Sequence, residues 1–373
     1  MRAEHDIAAR SGGRSAASGG KRIGYFLRHS GNLHYFAAIK PYLDHFLRRG
    51  DCENYILVPT LLPDHESVPD FAGYADLFTA DRCIDDCDLV LTPSFLRPED
   101  RPGCGKGDVQ IVQIFHGMSD KPFTYERDFR GYALCLCAGQ RQLDRLRRYE
   151  HNRHMRSAMI GYPKFDVIPA VSPLFRNERK TLIYCPTWRK GGISSIERFL
   201  DNTTVLSALA DRYNLIVKPH PNIFNADRPC FSQLIVDRLE TLPGIQLVRA
   251  GNVMPWFSQA DLFIGDISAA GYEWLYFNRP MVFLNPQPEN LRVSQDVEAL
   301  TYLWQCGAVC DDSVHLSAAV EGALANDTYA AAREAILHYS VHRPRDGQAL
   351  NRGLAAIDAL ITGEGRECDI CDA

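Results

Sequence analysis

What this sequence lacks narrows its function before any motif is read. None of its apolar runs approaches the roughly 18–20 residues that a membrane-spanning helix requires. It has no basic excess: 41 Lys and Arg stand against 46 Asp and Glu, a net charge of −5, which argues against a protein built to coat nucleic acid. The opening MRAEHDIAARSGGRSAASGGKR has no apolar core of the kind a secretory signal carries, and residues 1–20 read as a disordered tail. No G-x-G-x-x-G follows the first expected strand, and GCGKG (103–107) lacks the spacing of a P-loop. The twelve cysteines form no repeated C-x-x-C framework. The single such pair, Cys368 and Cys371, has neither a second pair nor a histidine beside it. Reduced thiols are therefore expected, with Cys135 and Cys185 buried in apolar strands.

What is present is 373 residues of ordinary globular composition, 46% hydrophobic and 23% charged, a length that suits two domains. Apolar runs at 22–27, 54–59, 88–93, 109–115 and 133–139 alternate with helical or polar segments. A Pro-bearing stretch, 163–178, reads as a linker, and a second series follows at 181–187, 214–221, 245–251, 260–266 and 281–286. Continuous apolar strands spaced in this way imply parallel sheets covered on both faces. The expected fold class is α/β, with two open Rossmann-like domains, 21–165 and 178–340, facing a central cleft. A final helix within 341–365 could return to either domain.

Open parallel sheets bind ligands beyond the carboxyl ends of their strands, so the residues just after each run matter most. His116 and Gly117 follow one. Trp188, Arg189 and Lys190 follow 181–187, Lys218 and His220 follow 214–217, and Asp266 and Ser268 follow 260–265. Ser268 reads as a helix N-cap, leaving the N–H groups of Ala269, Ala270 and Gly271 to attract phosphate. Glu273, one turn on, could accept hydrogen bonds from a ribose diol. His116 is suited to take a hydroxyl proton near neutral pH. Each segment alone has a plainer explanation: a capped helix, a solvated basic turn, a satisfied interior histidine. Their convergence on one rim is what points to a phosphate-bearing ligand. The Arg-rich RQLDRLRRYEHNRHMR (141–156) reads either as a solvated helix face or as a contact for anionic membrane.

Six segments together resemble the CDP-glycerol glycerophosphotransferase family of teichoic-acid and capsule polymer enzymes. They are QIFHG (113–117), GYPKFDVI (161–168), YCPTWR (184–189), KPHP (218–221), IGDISAAGYEWLYFNRPMVFL (264–284) and RPRDGQALNR (343–352). The resemblance implies a GT-B fold with an N-terminal acceptor domain and a C-terminal donor domain. It implies transfer of a polyol phosphate, with glycerol phosphate expected, from a CDP-activated donor to a hydroxyl of a lipid-linked or polymeric glycan, releasing CMP. By that resemblance His116 is the base toward the acceptor and His220 contacts donor phosphate. Arg189, Lys218, Asp266, Ser268, Ala269 and Ala270 attend the diphosphate, and Glu273 the ribose. The chain departs from the family's D-x-S-S at Ala269, which loses one hydroxyl donor. It is also too short to carry the extra N-terminal domains of the larger polymerases. No carboxylate cage is evident, so no obligatory metal is expected, although Mg²⁺ could accompany the nucleotide. A cytoplasmic enzyme, peripheral on the cytoplasmic face of the inner membrane, fits this reading. Two alternatives stay open at this point: a GT-B glycosyltransferase or sugar-nucleotide enzyme using a UDP- or CMP-sugar, and a non-catalytic subunit of a surface-polymer assembly.

Overall fold

The computed structural model describes residues 20–28, 33–59, 71–100, 109–188, 193–196, 203–224, 237–249 and 251–362. The expected tail, the GCGKG segment, Arg189 with Lys190, and the terminal Cys368–Cys371 pair lie outside the described residues.

The first series of apolar runs forms a seven-stranded parallel sheet. Its strands are β1 (Lys21–Phe26), β2 (Cys52–Leu57), β3 (Phe78–Thr79), β4 (Leu89–Thr92), β5 (Gln110–Gln113), β6 (Leu134–Cys137) and β7 (Ser157–Met159), ordered β3-β2-β1-β4-β5-β6-β7. The second series forms a six-stranded sheet from β8 (Thr181–Cys185), β9 (Asn214–Val217), β10 (Ile245–Leu247), β11 (Leu262–Gly265), β12 (Met281–Leu284) and β13 (Ala308–Cys310). Its order is β10-β9-β8-β11-β12-β13. Four-residue strands such as LVLT in β4, LCLC in β6 and LFIG in β11 are buried at every position, as strands covered on both faces must be. Strand order reverses between β1 and β4 and again between β8 and β11. At such a reversal the flanking helices leave on opposite faces and open a crevice beyond the strand ends.

Helix α1 (Leu33–Arg49) buries Phe36, Ile39, Leu43 and Phe46, a spacing of three and four residues that puts one stripe on the first sheet. The last helix, α2 (Ala349–Thr362), adds Leu354 and Ile357 to that same core. Its first turn is held by Asp166, whose carboxylate accepts from the N–H groups of Ala349 and Leu350 at 3.0 and 2.7 Å. Arg352 donates to the carbonyl of Ile160 at 2.8 Å. The GYPKFDVI and RPRDGQALNR segments therefore meet where the chain crosses between halves, and part of their role is architectural.

The two halves are also joined by a buried ionic seam. Asp120 pairs with Arg141 and Arg145, which are each 1% exposed, and accepts from the hydroxyl of Tyr272 at 2.6 Å. Arg145 further binds Glu298 at 3.1 Å, and Arg141 donates to the carbonyl of Val297. The Arg-rich segment thus corrects its reading from sequence. At these two positions it is neither a solvated face nor a surface open to lipid, because the guanidiniums are consumed in the contact between halves.

Candidate active site

The carboxyl ends of the two sheets face one another across a cavity of about 360 Å³. Among the described residues six cations line it, Arg28, Arg97, Lys121, Arg127, Lys164 and Lys218, against one carboxylate, Glu273. Such a wall attracts a polyanion, and the low dielectric around it strengthens the attraction.

His116 follows β5 on a backbone under constraint. Phe115, just before it, has φ +39°, an unfavourable value for a bulky side chain. Phe115 is held there by burial against Phe129, ring centroids 5.6 Å apart. Strain of this kind clusters at functional positions. The imidazole Nδ1 lies 3.1 Å from the carbonyl oxygen of Pro93. A carbonyl can only accept, so Nδ1 carries the hydrogen and Nε2 keeps its lone pair. Burial, reinforced by Lys164 and Lys121, pushes the His116 pKa down to about 4 against the opposing pull of that carbonyl. At neutral pH it is therefore an unprotonated imidazole with a fixed tautomer.

His220, at the end of β9, lines the same cavity from the other half. Its ring lies 6.1 Å from that of Trp188. Burial first, then Lys121, Lys218 and His116, hold its pKa well below the usual value. Lys218 is 6% exposed and lines the wall beside it. Lys121 reaches across the cleft from the first half and donates to Thr187 Oγ1 at 3.1 Å.

Ser268, Ala269 and Ala270 also line the cavity, at the start of a short helix over Ala269–Trp274. Ser268 Oγ accepts from the Ala270 N–H at 3.3 Å, and the Gly271 N–H bonds the Ser268 carbonyl. Of the three N–H groups expected to be bare, two are thus already engaged. Gly117 stands opposite: a Cβ placed on it would lie 3.5 Å from that of Ala269.

Two expected residues are already engaged by the protein. Asp266 is 2% exposed and is not part of the cavity wall. Its carboxylate accepts from the Thr187 N–H at 3.0 Å, the Ser195 N–H at 2.8 Å and the Ser195 hydroxyl at 2.9 Å. Burial raises its pKa to about 6. It fixes the loop after β8 rather than touching a ligand, and through Thr187 it orients Lys121. Glu273 lines the cavity, but its Oε1 already accepts from Tyr162 at 2.5 Å and Lys164 at 2.9 Å. Arg189 lies outside the described residues. Among the described residues no group of three or more His, Cys, Asp or Glu side chains is arranged to hold a metal ion.

Among the wall residues that the sequence reading did not single out are Arg28, His34, Arg97, Lys121, Arg127 and Lys164. The rule that found the others, polar residues just after each strand, also applies to β1 and would have found Arg28. His34 and Lys121 lie several residues beyond their strands, and Lys164 lies in the GYPKFDVI segment, where the family resemblance gave it no role.

Two Rossmann-like sheets with facing strand ends and a cationic cleft between them define a GT-B-like architecture with a site suited to a phosphate-bearing ligand. The sequence profile of CDP-glycerol:poly(glycerophosphate) glycerophosphotransferases matches residues 149–358, and the chain belongs to that family. It is an enzyme of the glycerophosphotransferase class. Among solved structures it is similar to the wall teichoic acid polymerase TagF, in a variant soaked with CDPG. The two are 14% identical with a TM-score of 0.61, covering 93% of this chain and 90% of that one. It is also similar to S. aureus MnaA with UDP (12% identity, TM-score 0.57, 92% and 97% covered). A glycosyltransferase from Rickettsia africae gives 11% identity and a TM-score of 0.50, with 92% and 99% covered. At these identities the likeness is one of fold. No curated protein sequence matches the chain.

Proposed function

We propose that the enzyme transfers glycerol phosphate from CDP-glycerol to a hydroxyl of a cell-surface polymer or lipid-linked glycan, releasing CMP. The observation that carries this reading is the meeting of His116 from one half and His220 from the other on a single cation-lined cavity. In this account the acceptor hydroxyl gives its proton to Nε2 of His116 and attacks the β-phosphorus in line. The O–P bond forms as the bond to the CMP oxygen breaks, and the electron pair leaves with CMP. His220, Lys218 and Lys121 stabilise the charge spread over the equatorial oxygens, where phosphoryl transfer gains most. The Ala269 N–H and the Ser268 hydroxyl contact the diphosphate; Arg189, outside the described residues, keeps the diphosphate role that the family resemblance implies. Glu273, with Lys164 beside it, faces the ribose.

The cations already in the wall supply the neutralisation a metal would otherwise give, so the proposal includes no protein-held metal; Mg²⁺ could still arrive with the nucleotide. Among the described residues no helix is long and apolar enough to cross a membrane. Action at the cytoplasmic membrane face, where a lipid-linked acceptor would be met, belongs to this proposal.

Thermal unfolding with CDP-glycerol, CDP-ribitol, CMP and UDP-N-acetylglucosamine tests the donor assignment. A ligand at a hundred times its Kd adds about 2.7 kcal/mol. CDP-glycerol should raise the melting temperature and His220→Ala should lose the shift. Stabilisation by UDP-N-acetylglucosamine alone would overturn the assignment.

A further inference from the structure

The mechanism above uses two histidines, yet among the described residues the cavity wall holds three. His34 lies in the first turn of α1 and lines the same cavity. Its ring meets that of His116 at 5.6 Å between centroids and that of His220 at 5.0 Å, edge-on in both cases. It is therefore packed between the candidate base of one half and the candidate phosphate ligand of the other. Its Nδ1 is buried without a hydrogen-bond partner among the described residues. Buried polar atoms in folded chains are nearly always paired, and this one, on the wall of the cavity, is left without a protein partner among the described residues.

We propose that His34 is a third substrate-facing residue, a neutral imidazole that donates a ring N–H to a non-bridging oxygen of the phosphoryl group in transfer. The inference rests on the glycerophosphate-transfer reading. In that reaction the phosphorus passes from the CMP oxygen to the acceptor oxygen, and its three equatorial oxygens lie between the two. A residue between the group that takes the acceptor's proton and the group that holds the donor phosphate is placed to face those oxygens.

His34 is also kept uncharged. Burial does most of this, followed by His220, His116, Lys164 and Lys218 around it. The positive end of the 17-residue helix that carries it works in the same direction, disfavouring an imidazolium while favouring phosphate. Tyr35 packs on His116 at 4.2 Å from the same turn, so α1 holds both histidines in place. A neutral donor preset toward developing charge needs no reorganisation when the reaction occurs.

The test is steady-state CMP release from CDP-glycerol, with a short glycerol phosphate oligomer as acceptor. His34→Ala should lower kcat by about 10²-fold, the usual effect of removing one preset donor, with KM for CDP-glycerol within about threefold. His34→Phe keeps a ring but no donor, and should show the same loss in a protein whose packing is retained. His34→Asn, which restores an N–H, should recover part of it. Variants with kcat within twofold of an active wild type, or a loss confined to KM, would overturn the proposal alone. A wild-type enzyme that releases no CMP from CDP-glycerol would remove the functional reading and this inference with it.

Discussion

At the scale of single residues, His116 shows how a fold turns an ordinary side chain into a base. The Pro93 carbonyl chooses its tautomer, strain at Phe115 sets its direction, and burial keeps it unprotonated with a pKa near 4. The pH dependence follows with a definite sign. A lowered pKa means the competent, neutral form persists as pH falls below 6.5 and is lost only on approaching 4. The free-enzyme profile, kcat/KM against pH, should therefore stay level from neutrality to about pH 5 and drop below it. A fall centred near 6.5 would show an unperturbed histidine. His116→Ala should abolish turnover while CDP-glycerol still raises the melting temperature. His220→Ala should instead weaken donor binding. Their place at the cavity was legible in the sequence because His116 follows an apolar run directly and His220 follows one within three residues. Asp266 was misread for the same reason: position after a strand does not say which way a carboxylate turns, and this one turns away from the cavity toward Thr187 and Ser195, after β8.

Elements act on the site from a distance. The helix over Gln140–Arg147 carries Arg141 and Arg145 into the seam with Asp120, Tyr272 and Glu298. Asp120 is adjacent in sequence to the cavity residues Ser119 and Lys121, so the seam also sets the segment that carries the crossing lysine. Arg145→Ala leaves Asp120 with Arg141 and Glu298 with Arg148, but strips the Ser119 and Asp120 carbonyls of a buried donor; it should cost about 1–3 kcal/mol, read as a lowered denaturation midpoint. Gly139, just before that helix, is pressed against the chain crossing: an added Cβ would lie 2.6 Å from backbone atoms of Ser340. Backbone cannot swing aside as a side-chain tip can, so Gly139→Ala should destabilise by about 1–3 kcal/mol. An unchanged midpoint would show that the crossing is looser than its geometry. None of this was legible beforehand. Arginine spacing on a helix shows which face the charges share, but not that another half of the chain will cover them.

For the whole molecule, the two-sheet architecture was legible because strands buried on both faces must be apolar throughout, and ten such runs stood out. The three that did not, β3, β7 and β13, have two or three residues and lie at sheet edges, where too few positions are buried to make a pattern. The cleft itself was inferred from strand ends alone; its strongly cationic wall emerges only when Arg28, Lys121 and Lys164 arrive from separate places in the chain. The central claim is that this wall holds CDP-glycerol while His116 activates an acceptor hydroxyl. The most direct measurement is CMP release from CDP-glycerol with a short glycerol phosphate oligomer, by wild type and His116→Ala. The account predicts acceptor-dependent CMP release by wild type and none by the variant. Wild-type release of UDP from UDP-N-acetylglucosamine with no CMP from CDP-glycerol, or full activity in His116→Ala, would contradict it.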